Sequence, residues 1–388
     1  MTVTSAKGFR ASGIAAGLKA SGRPDLALVV NDGPLDVAAA VFTGNRFMAA
    51  PVLWSQQAVA DGQLRAVVLN SGGANACTGP EGFADTHRTA EHVAAMLTAA
   101  GLETGPGDVG VCSTGLIGER LPMPLVLAGI EGGVRALSDA GGADAAVAIM
   151  TTDSVPKVSA VTIDGFTVGG MAKGAGMLAP ALATMLVVVT TDAVVTREEG
   201  DAALRRATGL TFDRIDSDGC MSTNDTVMLL ASGASGVSPD AGVFADAVAG
   251  VCADLSRQLI ADAEGASKEI AIAVAGAVDV DDALTVARAI SRSNLLKCAI
   301  HGEDPNWGRV LSAIGTTDAV FEPDAVDVAI NGVWVCRGGA IGDSRDGVDM
   351  SERLVRIDVD LKAGREAATL WTNDLTADYV HENSAYAT

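Results

Sequence analysis

Residues 170–192 read Gly170-Met171-Ala172-Lys173-Gly174-Ala175-Gly176-Met177-Leu178-Ala179-Pro180-Ala181-Leu182-Ala183-Thr184-Met185-Leu186-Val187-Val188-Val189-Thr190-Thr191-Asp192. The stretch changes character at one bond. Up to Ala183 it carries Gly174, Gly176 and Pro180, which allow φ > 0 or fix φ and so favour a bent, non-helical approach. Residues 186–189 are a continuous, mostly β-branched apolar run, which predicts a strand buried on both faces. Thr184 stands at the mouth of that strand, after a glycine-rich turn and close in sequence to Lys173.

Three readings compete for this stretch. No charge occurs between Lys173 and Asp192, but a membrane-crossing helix needs about 20 predominantly apolar residues, and glycines, a proline and three threonines interrupt the run. A phosphate loop would place Gly-Lys-Ser/Thr, or G-x-G-x-x-G opening a helix; here Lys173 precedes its glycines and a strand follows. The third reading is a nucleophile made by self-cleavage. If Thr184 Oγ attacks the Ala183 carbonyl, an N-to-O acyl shift and hydrolysis leave Thr184 as a new N-terminus. Its α-amine, with a pKa near 8, then serves as base for its own hydroxyl. On chemistry alone, an ordinary strand threonine is the commoner outcome.

The run from Lys173 through Pro180 to Thr184 and Leu186 resembles the self-cleavage signature of the ornithine acetyltransferase family, also called bifunctional glutamate N-acetyltransferase. That family commonly has Ser where this chain has Ala175 and Met where it has Leu182. Neither change touches Lys173, Pro180, Ala183 or Thr184. Further matches recur from Gly8 to Thr388. The resemblance implies a mixed α/β fold of stacked sheets flanked by helices, with an N-terminal-nucleophile-like self-cleaving architecture. It also implies an α chain of residues 1–183, and a β chain of residues 184–388 with a smaller α/β unit from about 270.

Composition bounds the rest. The 388 residues are 48% hydrophobic and 19% charged, which describes a globular chain with room for two structural units. A net charge of −21 argues against a broad basic surface for nucleic acid or anionic lipid. Residues 1–19 hold no apolar segment of signal-peptide length, so a cytoplasmic protein is expected. Six cysteines without a C-x-x-C pair read as reduced thiols, and four histidines show no metal-binding spacing. No metal is expected.

Along the chain, residues 26–30 and 37–42 read as strands split by the turn cluster Asn31-Asp32-Gly33-Pro34, which predicts a hairpin. Residues 67–69 run into a Gly/Asn-rich loop, and helices are expected near 84–100 and 122–139. Between them, Ser113-Thr114-Gly115-Leu116-Ile117-Gly118 is a polar turn able to aim a hydroxyl and a backbone N–H at one point, as an oxyanion hole requires. The resemblance gives that role to Thr114 and Gly115. It also makes Thr151, favoured over Thr152, a substrate-binding threonine. A hairpin is expected at Asp164-Gly165. Residues 212–225 form the most polar loop, without the oxygen spacing of a calcium loop, and read as a site wall. Ser238-Pro239 reads as a helix start, with Phe244, Val248, Val251, Leu255 and Leu259 as the buried stripe. Residues 270–274, a helix near 281–292, and residues 295–300 read as a strand-helix-strand unit. Asn331-Gly332 predicts a second hairpin.

The remaining assignments come from the resemblance: Lys173 to the substrate carboxylate or developing negative charge, Glu264 to the cationic end of ornithine, and Asn383 and Thr388 to a tail that returns over the substrate. Together they imply ping-pong acetyl transfer from N2-acetyl-L-ornithine to L-glutamate on Thr184, in arginine biosynthesis, by a heterotetramer of two α and two β chains. No organic cofactor is required, and acetyl-CoA stays open as a second donor. Two alternatives remain: a self-cleaving aminopeptidase or amidase in which water accepts the acyl group, and a non-enzymatic small-molecule binding protein.

Overall fold

The computed structural model describes residues 1–177 and 185–385, so Ala183, Thr184 and Thr388 lie outside the described residues. The chain divides into two compact units, one of Met1–Asp213 with Cys220–Leu259, the other of Arg214–Gly219 with the chain from Ile260 onward.

The first unit contains strands β1 (Phe9–Ile14), β2 (Leu26–Asn31), β3 (Val37–Phe42), β4 (Ala66–Asn70), β5 (Val109–Ser113), β6 (Lys157–Ile163), β7 (Phe166–Lys173), β8 (Leu186–Thr191) and β9 (Thr226–Ala231). Its helices are α1 (Ala50–Ala58), α2 (Gly79–Ala99), α3 (Met123–Arg135), α4 (Gly142–Ala148), α5 (Arg197–Leu210) and α6 (Ala241–Ala261). One sheet has the order β1-β2-β4-β5 and the other β3-β9-β8-β7-β6. Val29, Val67 and Leu69 of the first share one core with Leu186, Val188, Met228 and Leu230 of the second, so the sheets stack face to face. Because side chains alternate along a strand, Leu28, Val30, Val68 and Val111 turn the other way, onto Val93, Leu97, Val126 and Ile130 of α2 and α3. This is the stacked, helix-flanked architecture expected from the resemblance.

The decisive strand is as predicted. β8 lies between β7, antiparallel, and β9, parallel, and all six of its residues are buried. The β6–β7 hairpin turns at Asp164 (φ 48°) and Gly165 (φ 88°), the paired positive φ values that suit the twist of a two-residue hairpin.

Three expectations are corrected. β2 and β3 are strands, but they belong to different sheets: β2 pairs with β1 and β4, and β3 with β9. The turn between them carries the chain across the sandwich. Asn31 Nδ2 donates to the carbonyls of Leu35 and Ala231, and Gly33 packs so closely on Ser232 that a Cβ there would meet its Cβ and carbonyl oxygen at 2.5 Å. Helix α6 starts at Ala241 rather than at Ser238-Pro239, because the Asp240 carboxylate accepts from the Gly242 and Val243 N–H groups. Its five predicted stripe residues are all buried. The third correction concerns residues 295–300, which lie in a helix.

That helix belongs to the second unit, whose strands are β10 (Glu269–Ala277), β11 (Asp327–Ile330), β12 (Val333–Arg337), β13 (Ala340–Ile341), β14 (Leu354–Asp360) and β15 (Glu366–Asn373). Its helices are α7 (Val280–Ser291), α8 (Asn294–His301), α9 (Trp307–Ile314) and α10 (Ala377–Ala385). The sheet order is β13-β12-β11-β14-β10-β15, mixed in direction. In α8 the Ser293 hydroxyl caps the N-terminus by accepting from Leu296 N–H. Leu296, Ala299 and Ile300 are buried while Leu295 is exposed, the three-and-four spacing of a helix face rather than the alternation of a strand. Among the described residues, no helix is long and apolar enough to cross a membrane.

The crossing turn yields a stability prediction. Gly33→Ala forces the turn off Ser232, and overpacking of this kind costs about 1–3 kcal/mol. Urea unfolding should show a lower midpoint at unchanged slope; an unchanged midpoint would mean the turn yields freely.

Candidate active site

The first cluster of site residues forms where β4, β5 and β7 end. β5 runs parallel to β4 and leaves the sheet at Ser113. The Ser113 hydroxyl donates to Asn70 Oδ1 at 2.6 Å, Asn70 Nδ2 donates to the Gly73 carbonyl, and Thr114 N–H donates to the Asn70 carbonyl. From the other side, Asn224 Nδ2 donates to the carbonyls of Ala74 and Ser113 at 2.7 and 2.8 Å. Gly115 then takes φ 133°, and a Cβ there would lie 2.7 Å from Gly73 N. Only glycine fits this position without displacing the backbone.

Thr114 is buried at this turn, and Lys173 Nζ, from the last residue of β7, donates to its Oγ1 at 3.1 Å. A threonine hydroxyl has one proton and two lone pairs. With a lone pair engaged by an ammonium, its proton is left to donate outward, strengthened by the adjacent charge.

Asp153 holds the base of this cluster. Its Oδ1 accepts from Lys157 Nζ at 2.5 Å and from Gly174 N–H at 2.7 Å, and its Oδ2 accepts from Thr151 N–H at 2.9 Å. Burial alone would raise its pKa, but the Lys173 and Lys157 charges and the Gly174 N–H outweigh burial and hold the carboxyl below the usual range. Lys19, whose Nζ donates to the Met150 carbonyl at 2.6 Å, also acts on this group; burial lowers its pKa to about 8, reinforced by Arg23 and Lys173. A carboxylate thus lies among lysines in a buried setting, a field suited to an anionic or developing negative group.

The chain leaves the sheet after Lys173, and the described residues run to Met177 and resume at Met185, whose N–H donates to Asp225 Oδ1 at 3.0 Å and whose carbonyl accepts from Thr226 N–H. Thr114, Gly115, Thr151 and Lys173 are therefore drawn into one neighbourhood. The expected cleavage residues Ala183 and Thr184 are outside the described residues.

The second group lies in the other unit. Glu264 accepts from Asn383 Nδ2 of α10 at 2.9 Å and helps line a cavity of about 390 Å³ with Asp218, Arg292, Lys297, Asp374 and Tyr379. Gly265 (φ 59°) follows, and a Cβ there would lie 2.2 Å from Tyr379 N. Thr376 Oγ1 both donates to the Gly265 carbonyl and accepts from Tyr379 N–H. Asp374 accepts from the Ser267 and Lys268 N–H groups, so the junction carrying Glu264 is anchored from the strand β15 side. Burial lowers the Lys297 pKa to about 8, against the pull of Asp216, Asp218 and Asp374. Thr388 is outside the described residues.

Sequence reasoning did not single out Asn70, Asp153 or Lys157 as site residues, and it marked Asn224 and Asp225 only as part of the 212–225 wall. Each is a polar residue at a strand end or in a polar loop, and only the fold brings them together.

A buried ammonium on a threonine hydroxyl, at a glycine turn beside a central strand of stacked sheets, defines an acyl-transfer type of site in an α/β protein. The chain belongs to the ArgJ family, whose model matches residues 10–388. It is 66% identical to the arginine biosynthesis bifunctional protein ArgJ of Streptomyces coelicolor over 387 residues, and 64% identical to that of Thermobifida fusca over 388, with 100% of each chain covered in both comparisons. Among solved structures, it is 61% identical to the ornithine acetyltransferase of Mycobacterium tuberculosis complexed with ornithine, covering 48% of this chain and 96% of that one, with a TM-score of 0.46.

The Asp153 cluster can be tested directly. Asp153→Asn leaves buried lysine charge uncompensated, and breaking such a pair costs about 3–5 kcal/mol. Because the folded-state pKa is depressed, this stabilisation is complete above the ordinary value of 3.8 and is lost as pH falls through the folded value. Denaturant titrations should show a large deficit in the variant at pH 7 that shrinks in strong acid; equal stability at pH 7 would remove Asp153 as the anchor.

Proposed function

We propose that this chain is an acetyltransferase of arginine biosynthesis that transfers the acetyl group of N2-acetyl-L-ornithine to L-glutamate through Thr184. The observation that carries the reading is the Lys173–Thr114 contact at the head of the segment leading to Thr184, in a chain of the ArgJ family. In this reading Thr184 Oγ attacks the Ala183 carbonyl, and acyl shift and hydrolysis free its α-amine. That amine then takes the Thr184 hydroxyl proton as the oxygen attacks the acetyl carbonyl. The Thr114 hydroxyl and the Gly115 N–H stabilise the oxyanion. Ornithine departs with a proton on its amine, and the amine of glutamate attacks the acetyl ester to complete the ping-pong cycle.

Lys173 and Thr151 take the substrate carboxylate side, and Glu264, with Asn383 and Thr388, the cationic end of ornithine. The reading needs no metal or organic cofactor and admits acetyl-CoA as a second donor. It assigns an α chain of residues 1–183 and a β chain of residues 184–388, two of each in a cytoplasmic heterotetramer. Support for a lasting α–β association comes from β8, which begins just after Thr184 and is buried between two strands.

Intact mass and N-terminal sequencing test maturation, and should find chains ending at Ala183 and beginning at Thr184. Incubation with acetylornithine and glutamate should then yield N-acetylglutamate and ornithine; free acetate instead would identify an amidase. A single intact chain with full transfer activity would reject the threonine mechanism.

Glu264→Gln gives a separate test of substrate choice. The amide keeps size and hydrogen bonding with Asn383 while removing the charge, a loss of about 1.5–3 kcal/mol. That corresponds to roughly 10–150-fold in kcat/KM for acetylornithine. A neutral acetyl ester should be affected little. Equal losses on both donors would place Glu264 in structural support.

A further inference from the structure

Asp225 has no role in the reading so far, yet its setting is unusual. It is the residue before β9, wholly buried, and its backbone carbonyl accepts from Thr43 N–H. Its carboxyl is tied on one side only. Oδ1 accepts from Met185 N–H at 3.0 Å, whereas Oδ2 is buried without a hydrogen-bond partner among the described residues. The neighbouring Thr43 hydroxyl does not supply one, since it donates to the Ser222 carbonyl at 2.7 Å. Burial pushes the Asp225 carboxyl well above the ordinary range, against the opposing effects of Met185 N–H, the Lys173 charge and the Ser222 and Thr43 hydroxyls. A neutral carboxylic acid carries an O–H donor, and an orphaned buried polar atom calls for a function or a transient partner. The Met185 nitrogen held by this acid is separated from the Thr184 nitrogen only by the Thr184 carbonyl carbon and α-carbon.

We propose that Asp225 is the catalytic acid–base of self-cleavage, carrying a proton from the Thr184 hydroxyl to the departing Thr184 nitrogen. The inference rests on the self-cleavage reading. As the bond from Thr184 Oγ to the Ala183 carbonyl carbon forms, the hydroxyl proton passes to the carboxyl group. As the Ala183–Thr184 carbon–nitrogen bond breaks, the acid's own proton passes to that nitrogen, which leaves as a free amine. Asp225 ends neutral, as it began, and no further reactant is consumed. Water then hydrolyses the ester, giving the Ala183 carboxylate and the free Thr184 hydroxyl. Met185 N–H keeps the carboxyl in place during both transfers, and Thr226 N–H on the Met185 carbonyl fixes the strand beside it.

The test compares the full-length wild type with Asp225→Asn, which keeps the shape, neutrality and the oxygen that accepts from Met185 N–H but cannot relay a carboxylic proton. Cleavage is followed by mass after pulse expression, with folding monitored by thermal melting. The expected result is a folded precursor that matures about 10²–10⁴-fold more slowly and resists hydroxylamine at 183–184, because no ester has formed. A folded variant that matures at the wild-type rate, or whose precursor hydroxylamine cuts readily, would overturn the role of Asp225 and leave self-cleavage standing. A wild type that never cleaves would remove both. If Asp225→Asn does not fold, Asp225→Ser, smaller and still able to accept from Met185 N–H, takes its place: slowed maturation supports the relay and a wild-type rate overturns it.

Discussion

The antiparallel pairing of β7 with β8 is the constraint on which the site depends. Its register sets Lys173 opposite Leu186 and Met171 opposite Val188, so the segment carrying Thr184 leaves and re-enters the sheet at adjacent strand ends. Both ends are tied by carboxyl groups. Gly174 N–H is held by Asp153 at the exit, and Met185 N–H by Asp225 at the return. Glycine at the exit permits φ 153° there, and β9 pairs with β8 on the far side. The strand pairing thereby fixes both ends of the connection between β7 and β8.

The pKa values of the two carboxyls that clamp this connection are shifted in opposite directions for identifiable reasons. Asp153 is buried, yet faces Lys157 and Lys173 and accepts backbone N–H groups, so its charged form wins. Asp225 is buried with weaker compensation, and burial raises its pKa well above the ordinary range. Asp153 faces the lysines and holds the Thr151 N–H, whereas Asp225 holds the Met185 N–H through one oxygen only. Environments that push two like groups apart divide acid and base roles in many active sites. The same chemistry explains why Lys173 can rest on a neutral hydroxyl: Asp153 balances part of the local positive charge without occupying the Thr114 side of the ammonium.

Much of this was legible in the sequence where local pattern and final environment agree. The Leu186-Val187-Val188-Val189 run could only be satisfied by burial on both faces, and the Asp164-Gly165 and Asn331-Gly332 pairs fit turns whose positive φ values exclude most residues. Failures came where tertiary context chose between locally equal options. Asn31-Asp32-Gly33-Pro34 is a turn in any fold, but whether its strands pair or part depends on β1 and β9, far away in sequence. Residues 295–300 are too short for periodicity to separate strand from helix, and the Ser293 cap decided it. Thr114, Gly115 and Lys173 were assigned through a resemblance; the hydrogen bond that unites Thr114 with Lys173 spans β5 and β7 and has no local signature. Asn70 looks like an ordinary loop polar for the same reason, and the 212–225 loop reads as a site wall without showing which of its polar residues, Asn224 and Asp225 among them, meet β5 and β8.

The corrected β2–β3 connection also bears on how the site is held. Had β2 and β3 formed a hairpin, β3 would lie in the first sheet, and β9 would lose its partner on that side. Instead β3 covers β9, and Thr43, just past its end, donates its backbone N–H to the Asp225 carbonyl. The crossing at Gly33 therefore contributes to the position of a carboxyl far from it in sequence. A polar network of this kind is only as rigid as the sheet pairings that deliver its members, because a one-residue slip of a strand would turn each side chain to the opposite face. The stacked sheets supply that rigidity through their shared apolar core, and the network around Thr114, Asp153, Lys173 and Asp225 lies at the strand ends, where polar groups can be buried and still find partners.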